Sequence, residues 1–437
     1  MKNTLFLLLS FFAITCMQAQ QIAFPGAEGY GKWTVGGRGG RILTVTNLND
    51  SGEGSFRDAV EQTGARIVIF AVDGNIELKS PLCVNNDSIT IAGQSAPGDG
   101  ICLKDYPLVV NASNVIIRYI RVRVGDRYRL DSDGVGGGRY GQKNVILDHL
   151  SVSWSIDECL SIYKTENLTV QWCLVTHSLN TSVHTKGSHG FGGIWGGYKA
   201  TFHHNLLANH ASRNPRFSSV DGTKWVDYRN NVVYNWGFKT AYGGGHHAEI
   251  NIVNNYYKPG PASLHHRLLD VAEDGTGRYY VAGNMMAGDD AVTRDNHSAV
   301  TDCVGECTSC LVDFPFPSEP IHEDTPAVAY QRILESVGCS FSQDSYDREV
   351  LRQVREGIGT FGINGIINSQ EDVGGWPVLN AEKALIDSDG DGMPDVWESK
   401  HGLNPKSASD ASVYTLDENY TNIEIYLNSL ADKCNNY

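Results

Sequence analysis

The segment 212–216 has the sequence Ser-Arg-Asn-Pro-Arg, which places two arginines around one proline. A guanidinium presents a planar set of donors that binds a carboxylate through two parallel hydrogen bonds. Pro215 fixes its own φ and biases Asn214 towards an extended conformation, so Arg213 and Arg216 are held at a defined spacing. We therefore expect this segment to bind an anion that carries carboxylates.

Acidic residues precede this segment in a repeating part of the chain. They are Asp133 and the pair Asp157 and Glu158, with Lys186 between them and Arg213. If the repeats stack as consecutive coils, these carboxylates lie about one strand spacing apart, ~4.8 Å. Such a cluster would hold a hard cation through oxygen ligands, and the neighbouring cationic groups would bind an anionic sugar.

A second acidic motif occupies residues 387–398 and matches a twelve-residue EF-hand calcium loop. Its five acidic side chains would repel one another without a cation. No second loop is visible, so we expect a structural Ca²⁺ site and not a calcium switch. The predicted ligands, in loop order, are Asp387, Asp389, Asp391, the carbonyl of Met393, Asp395 and Glu398.

Short β-forming runs recur along residues 67–286, and the later runs each lead into an asparagine. The spacings between these asparagines are 231 − 205 = 26, 255 − 231 = 24 and 284 − 255 = 29. A period of this length made of β runs predicts an all-β parallel β-helix, in which stacked coils bury one continuous core. Asparagine at the turn tolerates the left-handed conformation, and stacked amides would form a hydrogen-bond ladder. A propeller would need longer blades, and a leucine-rich repeat would need a leucine pattern that this chain lacks.

Strand alternation assigns the faces of the predicted coils. In the run 120–124 the aliphatic residues point inward, so Arg121 and Arg123 share an outer face, where we expect them to bind substrate. A helix at 51–61 and further helices at 344–356 and 422–430 are predicted to pack against the solenoid, because solenoid ends need protection. The domain plan is a signal peptide at 1–19, the β-helix at 20–290, and a C-terminal extension at 291–437 that packs on it.

Charge and cysteine content restrict the partners and the compartment. The net charge of −15 argues against nucleic acid. Residues 1–19 resemble a secretory signal, so we expect a secreted or periplasmic monomer; a lipoprotein anchored through Cys16 is the alternative. No later segment is long and apolar enough to span a bilayer. Cys159 and Cys173 are predicted core residues, whereas Cys303, Cys307, Cys310 and Cys339 form a cluster for which disulfides are favoured over zinc.

Taken in order, several motifs resemble polysaccharide lyase family 1, the pectate lyases. They are segment 144–158 (Asn-Val-Ile-Leu-Asp-His-Leu-Ser-Val-Ser-Trp-Ser-Ile-Asp-Glu), Asn-Leu-Thr-Val at 167–170, Lys-Gly at 186–187, His-His-Asn at 203–205 and Arg-Asn-Pro-Arg at 213–216. The resemblance covers residues 24–258 and implies a right-handed parallel β-helix. Together with the calcium loop in the tail, it implies a secreted enzyme of bacterial type.

The family resemblance also implies roles for the site residues. Asp133, Asp157 and Glu158 would hold Ca²⁺, Lys186 would bind the uronate carboxylate, and Arg213 would be the base. Two departures stand out: Ser218 replaces a frequent further arginine, and Glu158 is taken as the substitute for a second calcium-binding aspartate, since the equivalent region reads Leu-Ser.

The implied reaction is β-elimination on the acidic polysaccharide pectate, an α-1,4-linked galacturonan, giving 4,5-unsaturated products. A guanidinium holds its proton tightly, so Lys186 is the alternative base. Three rival functions remain at this stage: a glycoside hydrolase of pectic glycans that uses Asp157, Glu158 or Asp148, a non-catalytic glycan-binding β-helix, and a lyase for methyl-esterified pectin.

Overall fold

The computed structural model describes residues 21–138, 141–272, 274–301 and 310–431. Three parallel sheets run along the described chain, and each complete coil contributes one short strand to each sheet. The first sheet contains ten strands: β1 (Arg41–Val45), β2 (Arg66–Phe70), β5 (Ile89–Ala92), β8 (Val115–Arg118), β11 (Lys143–Asp148), β14 (Glu166–Gln171), β17 (Tyr198–His203), β20 (Lys224–Arg229), β23 (Glu249–Val253) and β26 (Arg278–Ala282). The second contains nine: β3 (Gly74–Glu77), β6 (Ile101–Lys104), β9 (Arg121–Arg123), β12 (Ser151–Ser153), β15 (Leu174–Thr176), β18 (Leu206–Ala208), β21 (Val232–Tyr234), β24 (Tyr256–Lys258) and β27 (Met285–Met286). The third contains eight: β4 (Leu82–Val84), β7 (Leu108–Val110), β10 (Val135–Gly137), β13 (Leu160–Ile162), β16 (Ile194–Trp195), β19 (Arg216–Phe217), β22 (Ala241–Gly243) and β25 (Leu269–Val271).

Columns of apolar side chains fill the interior. In the first sheet, Val115, Val145, Leu168, Ala200 and Val226 are register partners from coil to coil, and all five are fully buried. Each coil alone leaves its apolar face exposed, and only stacking removes that face from water. The predicted right-handed parallel β-helix is confirmed.

The asparagines that mark the repeat form a buried ladder. Asn205 donates from Nδ2 to Oδ1 of Asn231 at 3.0 Å, Asn231 donates to Asn255 at 3.1 Å, and Asn255 donates to Asn284 at 2.9 Å. The left-handed conformation lies one residue earlier than predicted, for example at Asn230 with φ 53°. The turn is therefore made by the preceding residue, and the ladder asparagine satisfies the backbone groups that the turn leaves open.

Six α-helices accompany the solenoid in the described residues: α1 (Phe56–Glu61), α2 (Asp290–Arg294), α3 (Pro326–Ser336), α4 (Ser345–Glu356), α5 (Asp395–His401) and α6 (Asn422–Ala431). The helix predicted at 51–61 begins only at Phe56, because Gly52 and Gly54 have φ of 95° and 72° and Ser55 caps the first turn. The predicted helix at 344–356 is confirmed as α4, with Asp344 as its N-cap.

The chain beyond the third sheet packs on the outside of the solenoid at two places. Residues of α3 and α4, such as Ile333 and Val350, share an apolar cluster with outward residues of the second sheet, including Leu206. Residues of α6, such as Leu427, share another with Ile69 of β2. The extension therefore covers outer faces of two sheets.

This covering corrects the prediction for Arg121 and Arg123. Both side chains point outward from β9 as expected, but α4 lies over them and leaves them at most 1% exposed. Arg123 forms ion pairs with Asp344 at 2.6 Å and with Asp347 at 2.9 Å, and Arg121 lies 3.3 Å from Asp344. A sugar cannot reach these guanidinium groups, so they hold α4 on the solenoid instead of binding substrate.

The cysteines divide into two classes. Cys159 and Cys173 are free and fully buried in the core, as predicted. Cys310 is disulfide-bonded, whereas Cys339 is a buried free thiol whose pKa burial raises to about 12. Cys339 thus stands apart from the predicted cluster; Cys303 and Cys307 lie outside the described residues, as do the proposed signal peptide and Cys16. Every helix with described positions is too short or too polar to cross a bilayer.

Candidate active site

The predicted site residues come together at the turns that lead into the third sheet. Asp133 precedes β10, Glu158 precedes β13 and Arg213 precedes β19. Parallel bridges connect Glu158 with Phe191 and Phe191 with Ser212, so these turns occupy the same position in successive coils. Stacking of coils, and not proximity in the chain, places the acids beside Arg213.

Three carboxylates form the acidic part of the site. Asp133, Asp157 and Glu158 each offer one oxygen, and these oxygens all lie within 4.8 Å of one another. The backbone N–H of Glu158 donates to Oδ1 of Asp133 at 3.3 Å, which ties the two coils together. Oδ1 of Asp157 and Oε1 of Glu158 are buried and accept no hydrogen bond of good geometry from the described residues.

Arg213 is held against this cluster from several sides. Its Nη1 contacts Oε1 of Glu158 and lies 3.8 Å from Oδ1 of Asp157. Its guanidinium carbon lies 4.4 Å from the ring centroid of Phe191, and its Nε donates to the hydroxyl of Tyr242 at 3.2 Å. The side chain is 13% exposed, so it is positioned by the fold but still open to a ligand.

The backbone beneath Arg213 needs a glycine. Gly193 donates its N–H to the carbonyl of Arg213 at 2.9 Å. A Cβ at Gly193 would lie 2.0 Å from the carbonyl oxygen of Leu160 in the coil below. The close passage of these backbones sets the height at which Arg213 faces the acids.

A loop between β15 and β16 forms one wall of the site. His189 Nε2 lies 2.8 Å from Oδ1 of Asp157, and the rings of His184 and His189 stack with centroids 3.8 Å apart. Asp131 anchors this loop by accepting hydrogen bonds from the N–H of Thr185 at 3.2 Å and from its hydroxyl at 2.5 Å. Burial lowers the pKa of His189, and the Asp157 carboxylate opposes that shift.

Two predicted basic residues lie at the rim of the site. Lys186 is exposed in the wall loop. Arg216 lies half-buried on the outer face of the third sheet, next to Tyr242, whose ring centroid is 5.8 Å from its guanidinium carbon. The ammonium of Lys239 lies 4.6 Å from the same ring. The open face beside the acids is therefore lined with cations.

The second predicted cation site lies elsewhere, in the tail. Asp387, Asp389 and Asp391 are grouped there, and Asp391 also groups with Glu398. Asp395, a further predicted ligand, accepts hydrogen bonds through its two oxygens from the N–H and hydroxyl of Ser388 at 2.7 Å and 2.6 Å. The side chain of Met393 is buried in the apolar cluster with β2; its carbonyl stays a predicted ligand.

Several site residues were not predicted from the sequence. Phe191 and Tyr242 lie in the coils next to Arg213. Finding them from the sequence would have required the residue-by-residue alignment of consecutive coils. His189 belongs to a group of histidines whose spacing showed no metal motif. Asp131 was only one acid in a basic stretch, and nothing in its local sequence pairs it with Thr185.

Comparisons with known proteins complete the description of the site. No protein-family model matches the chain. Probable pectate lyase C from Aspergillus terreus is 36% identical over 418 residues, which cover 94% of each chain. The crystal structure of the major allergen from cedar pollen has a TM-score of 0.52 and 18% identity, covering 71% of this chain and 92% of its own. A solved pectate lyase has a TM-score of 0.51 at 14% identity, covering 74% and 98%. The two structures share the fold, and the fungal relative gives no support to a bacterial type.

Proposed function

The chain belongs to the pectate lyase family and is a polysaccharide lyase, and from that premise we propose that it cleaves α-1,4-linked galacturonan by calcium-dependent β-elimination. The proposed products are 4,5-unsaturated oligogalacturonides. The observation that carries the proposal is the contact of the Arg213 guanidinium with the Asp157–Glu158 pair on an open, cation-lined face.

The carboxylates at this site fit a hard cation. Asp133, Asp157 and Glu158 would hold Ca²⁺, because calcium prefers oxygen ligands and one oxygen of each carboxylate lies within 4.8 Å of the others. When bound, the ion would supply positive charge that attracts the uronate carboxylate and acidifies the adjacent C5 proton.

A nitrogen-ligated metal fits less well, although Asp157, His184 and His189 also lie close together. The N–H of Lys186 donates to Nδ1 of His184 at 2.9 Å, so neutral His184 carries its proton on Nε2. Nε2 is the nitrogen that faces Asp157. It therefore has no free lone pair for a metal, and the oxygen cluster is the better site.

The chain's own residues supply the proton transfer. We assign Arg213 as the base that removes the C5 proton; the C5–H electrons form the C4=C5 bond while the C4–O bond breaks, and the leaving glycosidic oxygen takes a proton from solvent water. Phe191 and Tyr242 restrict the Arg213 side chain, which keeps its nitrogens at one place above the acids. Lys186 is assigned to bind the carboxylate from the rim, and Arg216 to position the neighbouring sugar.

Hydrolysis is the weaker alternative on this fold, because it needs a protonated carboxylic acid opposite a second carboxylate. Asp148 cannot serve, since it is fully buried, and Arg118 and His149 hold its pKa well below the ordinary value despite the burial. Membership of a lyase family also argues against a non-catalytic, glycan-binding β-helix. We further propose export from the cytoplasm, which the disulfide at Cys310 supports.

The decisive experiment is cleavage of polygalacturonate with calcium or with chelator, followed by ultraviolet absorbance of the unsaturated product. We expect absorbance to rise only with calcium, to fall with increasing methyl esterification of the substrate, and to drop about 10²–10⁴-fold in Arg213→Ala. Arg267→Ala, a surface arginine paired with Asp270, is the matched control and should keep full activity. Saturated reducing ends alone, or activity indifferent to chelator, would contradict the proposal.

A further inference from the structure

The acidic loop of the tail is folded around its own carboxylates. Asp387 accepts hydrogen bonds from the N–H groups of Gly390 and Gly392, both at 2.8 Å, and Asp391 accepts one from Met393 at 2.8 Å. Gly392 has φ 92°, and a Cβ there would lie 2.5 Å from Cδ1 of Ile69. The turn therefore favours glycine, and any larger residue would also push the end of the Ile69 side chain aside.

A carboxylate from beyond the loop joins the cluster. Asp410 follows α5 and accepts a hydrogen bond from the N–H of Asn404 at 3.0 Å through Oδ2. One oxygen each of Asp391, Glu398 and Asp410 lies within 4.8 Å of the others. The segment after α5 thus folds back so that Asp410 completes a group that the twelve-residue motif does not contain.

Five oxygens in this group are buried and lack a hydrogen-bond partner. They are Oδ2 of Asp389, Oδ2 of Asp391, both Oε atoms of Glu398 and Oδ1 of Asp410. Glu398 is 0% exposed and Asp391 is 2% exposed. Within the described ranges, none of these carboxylates forms an ion pair with Lys, Arg or His.

Buried carboxylates without partners are stable only with a compensating positive charge. We propose that Asp387, Asp389, Asp391, Glu398 and Asp410 form a Ca²⁺ site, with Asp410 as a ligand supplied from outside the loop. The donors are oxygens only, and their number suits the six to eight oxygen ligands that calcium takes better than the octahedral, partly hydrated Mg²⁺.

The position of this site gives it a function distinct from catalysis. Met393 in the loop and Ala411, next to Asp410, pack in one apolar cluster with Ile67 and Ile69 of β2 and with Leu427 of α6. An ion shared by the loop and Asp410 would draw both ends of segment 387–411 onto the outer face of the first sheet. Calcium would thereby fasten the C-terminal segment to the early coils.

Calorimetric titration of the full chain with calcium chloride tests the site directly. Asp410→Asn and Glu398→Gln should each remove one bound equivalent or weaken it at least tenfold. Glu418→Gln, which changes an exposed acid between Asp410 and α6, is the matched control and should bind calcium as the wild type does. A bound calcium equivalent that is lost in Asp157→Asn belongs to the proposed catalytic site. The titration therefore tests the calcium site of the tail and the catalytic calcium site independently.

Thermal unfolding supplies a readout that ordinary loss of packing would not give. Asp410→Asn relieves repulsion among the acids, so in chelator its melting temperature should equal or exceed that of the wild type. In calcium it should melt lower than the wild type, because the stabilisation by the ion is lost. Unchanged calcium affinity in both Asp410→Asn and Glu398→Gln, or lower melting of both variants in chelator, would overturn the proposal.

Discussion

The burial of Arg123 under α4 makes a prediction that separates a structural role from substrate binding. Arg123→Met keeps much of the volume but leaves Asp344 and Asp347 without their main cationic partner, although Arg121 remains close to both. Removing one partner of a buried ion pair costs about 3–5 kcal/mol. Unfolding entropy of about 2.1 cal/mol/K per residue gives roughly 0.9 kcal/mol/K for a chain of 437 residues, so the melting temperature should fall by about 3–6 °C.

The assay is thermal unfolding by circular dichroism together with kcat/KM on polygalacturonate below the transition. Arg127→Met is the control, because Arg127 is 52% exposed and lies 3.6 Å from Asp105; a surface pair contributes about 0–1 kcal/mol. We expect Arg123→Met to lose stability and keep its kcat/KM per folded molecule. Unchanged melting combined with a raised KM would refute the reasoning and restore Arg123 as a substrate ligand.

Three further predictions concern the site and its surroundings. Tyr242→Phe removes the hydroxyl that accepts from Arg213, and since a hydrogen bond to a charged group is worth about 1.5 kcal/mol or more, kcat should fall about tenfold without a change in melting temperature. Arg216→Ala should raise KM for polygalacturonate roughly tenfold at similar kcat, and a fall in kcat alone would contradict its positioning role. Despite burial, hydrogen bonds from His204 and Arg332 lower the pKa of Asp324 to about 2. The ionised carboxylate therefore stabilises the fold above about pH 4, and about 2 kcal/mol of that stability is lost as the pH falls towards 2. Acid unfolding of Asp324→Asn should not show this loss.

The solenoid could be predicted from sequence because its periodicity is local and repeated. The asparagine spacing identified the coils, and the buried ladder from Asn205 to Asn284 explains why the spacing is visible. The position of the left-handed residue was missed, because one asparagine satisfies the backbone while its neighbour makes the turn. The spacing of the asparagines alone does not show which residue forms the ladder and which adopts the left-handed conformation.

The site was predictable where coil stacking alone decides it. Asp133, Glu158 and Arg213 precede strands of the same sheet, so their meeting followed from the repeat. The error at Arg123 has a different origin: alternation gives the direction of a side chain but not what covers it. The sequence did contain a pattern that indicates ion pairing. Asp344 and Asp347 are three residues apart and share one helix face, and the two arginines are two residues apart and share one face of a strand. Matching them required knowing that this helix packs there.

The position of Glu158 bears on how a guanidinium can act as a base. A base must be neutral when it accepts the proton, whereas a carboxylate in contact favours the charged guanidinium. Glu158 contacts Arg213 and also lies in one group with Asp133 and Asp157. The same carboxylate is therefore placed both to pair with Arg213 and to coordinate a cation. An oxygen that coordinates a divalent cation no longer offers its full charge to Arg213. If calcium binds here as proposed, Glu158 would contact either the ion or Arg213, and that difference would decide whether Arg213 is held in an ion pair or is free to act as the proposed base.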